Sequence, residues 1–225
     1  MVPSRSILLF LSLVLIMSLY TVFAESQQVP VFRLRYYVGY TFGRGYYGIS
    51  GKIFTINPSV QDINYIAQWI GITTSYSRGY WIQVGYNKGF DTNYKLKFYV
   101  EKKDKNGHSI IWVSSATPSA GTTYTYIIIG GTFDNGNGWK VIIRHGVNEI
   151  YSTIVYTDPY TSEDLQAFSE TTSDTICIDG THFSSLSYYT GRSFPLWDQH
   201  EAHVDEPYRI QEVSDYEFIA WGGGS

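Results

Sequence analysis

From Val31 onward, short runs rich in Tyr, Ile, Val, Thr and Trp alternate with clusters of Gly, Asn, Asp and Pro. Strands separated by turns produce this pattern, and helical spacing of apolar residues is nearly absent. Strands are predicted over 32–40, 47–56, 64–73, 80–86, 96–102, 109–115, 123–129, 140–144, 149–155, 164–171, 182–189 and 217–221. Only 61–66, after Asn57-Pro58, hints at a helical turn.

The turn residues fix how neighbouring strands pair. Asp104-Lys105-Asn106-Gly107 and His145-Gly146-Val147-Asn148 each join two apolar-rich runs, and Asn and Gly accept the positive φ that tight hairpins need. Consecutive strands therefore run antiparallel. So many strands exceed what one self-packed sheet accommodates, so the expected fold is all-β: a two-sheet antiparallel β-sandwich or jelly roll. Alternation then assigns faces along each strand. In 80–86, Ile82, Val84 and Tyr86 share one side and Trp81, Gln83 and Gly85 the other. The aliphatic pair belongs in the core, which turns Gln83 outward beside Trp81. By the same rule Phe98 and Val100 oppose Tyr99 and Glu101.

The N-terminal stretch breaks the pattern. Arg5, an apolar run over 7–23 and Val22-Phe23-Ala24 read as a signal peptide over 1–24, followed by a polar start at Glu25. The remaining 25–225 has the size of a single sandwich domain, expected to be secreted. Membrane contact is expected only if the first segment stays uncleaved. A formal charge of −4 excludes partners that rely on a basic field, nucleic acid above all. Charged residues make up 16% of the chain and Tyr supplies 21 positions, a surface that loses little when carboxylates protonate. Cys177, the sole cysteine, permits no internal disulfide and is expected to be a buried, inert thiol.

Three segments carry a family resemblance: Gln68-Trp69-Ile70-Gly71-Ile72, Trp81-Ile82-Gln83-Val84-Gly85 and Phe98-Tyr99-Val100-Glu101. A fourth is Ala167-Phe168-Ser169-Glu170, followed by Gly180-Thr181-His182-Phe183. In this order they resemble motifs of the glutamic peptidases, or eqolisins, across about Tyr47 to Leu186. Where the family's last motif carries a tryptophan and a second acidic residue, this chain has Phe168, Ser169 and Thr171-Thr172-Ser173-Asp174. The resemblance implies a concanavalin-like β-sandwich and a secreted acid endopeptidase acting on polypeptide. It makes Glu170 the general base, Gln83 the oxyanion donor, and Trp69, Trp81, Tyr99 and Glu101 the substrate-binding set. No metal or cofactor is implied.

Other functions have candidates too. Trp69, Trp81, Trp112, Trp139 and Trp197 offer flat faces with polar edges, so a non-catalytic sandwich binding extracellular glycan or protein is the alternative. An envelope or filament subunit is a third possibility. His200-Glu201-Ala202-His203-Val204-Asp205 is the best cation candidate, yet it lacks the His-Glu-x-x-His spacing and reads equally as a polar loop before Pro207. Asp134-Asn135-Gly136-Asn137-Gly138 is too short of ligands for a calcium loop and suits a turn.

Overall fold

A computed structural model describes residues 35–157 and 160–224. The expected signal peptide, and the first residues of the strand expected over 32–40, lie outside the described residues. Fourteen strands follow in chain order: β1 (Tyr36–Phe42), β2 (Gly48–Phe54), β3 (Tyr65–Ser75), β4 (Tyr80–Gly89), β5 (Lys97–Asp104), β6 (Gly107–Trp112), β7 (Thr123–Phe133), β8 (Gly136–His145), β9 (Asn148–Tyr156), β10 (Asp164–Thr171), β11 (Thr181–Tyr188), β12 (Glu201–Val204), β13 (Arg209–Ser214) and β14 (Glu217–Trp221). They form two antiparallel sheets of seven strands, ordered β12-β1-β10-β3-β4-β5-β6 and β13-β14-β11-β2-β7-β8-β9. This is the expected sandwich.

Alternation produces the core as anticipated. Ile82, Val84 and Tyr86 are at most 1% exposed, and Phe98 and Val100 join them against Ile49, Ile53, Tyr126, Trp139 and Phe183 of the second sheet. Burying each such aliphatic side chain contributes roughly 1.5–3 kcal/mol. One polar group also spans the sheets. Gln68 Nε2 donates to Ser169 Oγ at 2.9 Å and to Thr181 Oγ1 at 3.1 Å, tying β3 and β10 to β11.

Some expectations fail, for physical reasons. β12 replaces the polar loop expected around His200–Asp205, and β13 was not anticipated at all. Both are sheet edges with mostly exposed residues, so neither has a buried face to impose alternation. No helical turn forms at 61–66; a short 3-10 turn lies instead at Phe90–Thr92. Cys177 is partly exposed rather than buried.

Candidate active site

The outer face of the first sheet holds every residue expected at the site. Strand register arranges that face in rows. The middle row runs His203, Gly39, Phe168, Trp69, Gly85, Tyr99 and Trp112 from β12 to β6. On one side of it lie Tyr37, Glu170, Ala67 and Asn87; on the other lie Thr41, Gln166, Gly71, Gln83, Glu101 and Ile110.

The middle row forms a second apolar cluster, separate from the main core. Ala67, Trp69, Tyr99 and Phe168 are 2–6% exposed although they face outward, because Tyr37, Tyr65 and Trp112 pack beside them. Trp69 and Phe168 meet with ring centroids 5.4 Å apart. Glycines on this face let neighbouring strands and rings approach closely. A Cβ at Gly71 would stand 3.0 Å from Trp69 Cζ3 and 3.2 Å from Gln83 Cβ, pressing on two site residues at once.

Glu170 is 4% exposed and has three donors around it. The Tyr65 hydroxyl donates to its Oε1, Trp69 Nε1 donates to Oε2 at 3.2 Å, and Arg35 Nη1 lies 3.3 Å from Oε1. Burial pushes the carboxyl above its ordinary value, opposed by Tyr65, Arg35 and Trp69 and reinforced by the charge of Glu101. The upward effect prevails, so Glu170 keeps its proton further from strong acid than a solvent-exposed glutamate does.

Gln83 is held from the other side of the row. Its Nε2 donates to Tyr99 Oη at 3.1 Å and to Glu101 Oε2 at 2.7 Å, which engages both amide hydrogens. Glu101 Oε1 in turn lies 2.6 Å from His108 Nε2. Tyr99 is 2% exposed, and burial first, then the charges of Glu101 and Glu170, push its phenol well up. Each of these effects favours the neutral O–H form.

Glu170 and Gln83 therefore share one face of one sheet without sitting in the same row. Gln83 pairs with Gly71, and Gly71 with Gln166, so Glu170 lies four residues further along β10, about 13 Å of strand. Trp69 and Tyr99 fill the interval, one bonded to the acid and the other to the amide. Trp81 stands at the far end of the face, its ring 5.7 Å from that of His108. Trp139 and Trp197 are core residues, 0% and 1% exposed.

Several participants were not picked out in the sequence. Tyr65 shares a face with Trp69 by alternation, so its position was readable, but its bond to Glu170 is not. His108 follows from counting across the β5–β6 hairpin, where Lys103 pairs with His108. Arg35 carries no local signal. The two candidate cation ligands diverge: His203 packs edge-on against Tyr37 and Phe168, whereas His200 stacks on Tyr40 and reaches Asp215 at 3.0 Å. Among the described residues no group of His, Cys, Asp or Glu is arranged to hold a metal ion.

No family model and no curated protein matches the chain. Solved structures do. Scytalido-glutamic peptidase with a transition state analog inhibitor superposes with a TM-score of 0.61 at 12% identity, covering 83% of this chain and 98% of that one. A second structure of that peptidase, with a peptide-based transition state analog, gives 0.59 at 10% identity, over 84% and 98%. SCP-B, a member of the eqolisin family solved with the tripeptide Ala-Ile-His, gives 0.58 at 12%, again over 83% and 98%. At these identities the likeness speaks for architecture alone, and this chain has the fold of the glutamic peptidases.

Proposed function

We propose that this protein is a secreted endopeptidase that cleaves polypeptide in acid medium on the outer face of the first sheet. Glu170 is the general base and Gln83 lies on the oxyanion side. One observation carries the reading: a buried carboxylate and a buried amide rise from the same face and flank the Trp69–Gly85–Tyr99 row, each bonded to it.

In this reading a substrate strand lies over the Trp69–Tyr99 row, with Trp81 and Glu101 contacting it further along. Ionised Glu170 takes a proton from the water that attacks the scissile carbonyl, and polar hydrogens on the Gln83 side meet the charge that develops on the carbonyl oxygen. Tyr65, Arg35 and Trp69 favour the ionised form of Glu170 against the effect of burial. Residues 25–225 form the working domain. Export rests on the sequence of residues 1–24.

A binding role without cleavage, towards extracellular protein or glycan, is the second reading. It is favoured by the engagement of both Gln83 amide hydrogens within the protein. Incubation of an unfolded protein with wild type, Gln83→Ala and Glu170→Gln between about pH 2 and 7, with mass-spectrometric detection of new peptide ends, separates the two. Cleavage by wild type that both substitutions abolish supports the peptidase. Binding of the unfolded protein with no new ends supports the second reading.

A further inference from the structure

Gln83 cannot offer a free N–H as the site stands, since Tyr99 and Glu101 take both of them. Tyr99 is in the opposite condition. Its hydroxyl oxygen accepts from Gln83 at 3.1 Å, yet among the described residues its own proton has no acceptor, although the side chain is 2% exposed. A phenol carries one donor and accepts at the same oxygen. Its remaining hydrogen is therefore unclaimed among the described residues, on the row where Tyr99 pairs with Gly85 and Gly85 with Trp69.

We propose that the Tyr99 hydroxyl is the oxyanion donor of this site, and that Gln83 is a positioning residue that acts through it. The inference rests on the peptidase reading and deepens it. Glu101 anchors the Gln83 amide at 2.7 Å and itself lies 2.6 Å from His108, so the chain His108, Glu101, Gln83, Tyr99 ends at a phenol oxygen that accepts from the amide. Accepting the amide hydrogen also polarises the phenol and strengthens the bond it donates. As water adds to the scissile carbonyl, the proton it loses goes to Glu170 and the negative charge on the former carbonyl oxygen is met by Tyr99 O–H. The phenol keeps its proton throughout, and no oxidant or further reactant is consumed.

The arrangement also gives a reason for Tyr at this position. A phenylalanine would fill the same apolar cluster with Trp112, whose ring lies 6.0 Å away. Only the hydroxyl reaches the Gln83 amide.

The test is a kinetic cycle on a peptide substrate using wild type, Tyr99→Phe, Gln83→Ala and the double variant, each checked for an unchanged thermal transition. Tyr99→Phe should lower kcat about 10²-fold with KM nearly constant, the size associated with one oxyanion donor. Adding Gln83→Ala to Tyr99→Phe should then cost less than about threefold, because a positioning residue has nothing left to position. Two results would overturn the inference while leaving the peptidase intact: Tyr99→Phe within about twofold of wild type, or a full Gln83→Ala loss persisting in the Tyr99→Phe background, which makes the amide the direct donor. Failure of wild type itself to cleave removes the peptidase reading and this inference with it.

Discussion

The indole of Trp69 donates to the carboxylate of Glu170 across adjacent strands, Nε1 to Oε2 at 3.2 Å. This bond favours the ionised acid, as do Tyr65 and Arg35, and all three work against burial. Trp69→Phe keeps an aromatic ring in the cluster and removes the donor. The pKa of Glu170 should rise further, so the acid limb of the kcat/KM profile moves to higher pH. An unmoved limb would show that this bond does not govern the protonation of Glu170.

Arg35 supplies the charge in the same balance. Its side chain is 56% exposed, so removing it should cost less than about 1 kcal/mol of stability. Arg35→Ala should still move the acid limb upward, since the nearby cation lowers the Glu170 pKa. A pH-rate profile together with a denaturant titration checks both halves. A large stability loss without a shifted limb would make Arg35 a packing residue only.

Stability should carry the same signature with a definite sign. Burial raises the folded-state pKa of Glu170 above the ordinary 4.5, so the folded chain holds this proton more tightly than the unfolded chain. The resulting stabilisation is complete below the unfolded value and is lost as pH rises through the folded one. Glu170→Gln cannot ionise, so its Tm should fall less than that of wild type between about pH 4 and pH 7. Differential scanning calorimetry at several pH values measures this, and a steeper fall in the variant would contradict the assignment.

Much of this site could be read from alternation, and the limits of alternation explain what was missed. Gln83 was placed outward because Ile82 and Val84 had to be inward, and both are at most 1% exposed. Tyr99 and Glu101 followed by the same rule. The rule says nothing about register between distant strands, so neither the four-residue offset of Glu170 from the Gln83 row nor the Tyr65–Glu170 bond was visible. β12 and β13 escaped for a related reason. Sequences such as Glu201-Ala202-His203-Val204 face solvent on both sides, and their strand character comes from pairing with β1 rather than from their own residues.

Gly71 tests the shape of the face independently of its charges. A methyl group there would meet the Trp69 ring at 3.0 Å and Gln83 Cβ at 3.2 Å. Overpacking of this kind costs about 1–3 kcal/mol. The neighbours must give by a few tenths of an ångström, and Gln83 and Trp69, both at the site, are the side chains that move. Gly71→Ala should therefore lose activity well beyond its loss of stability, with thermal melts and peptide cleavage measured side by side. Proportionate losses would mean that this part of the face is not used.

If Glu170 performs chemistry on this face, the ratio of kcat/KM between wild type and folded Glu170→Gln, measured in weak acid on one peptide, must show it. The expected loss is about 10²–10⁴, the range for removal of a positioned general base; cleavage at the wild-type rate by the variant would mean that Glu170 is not the base.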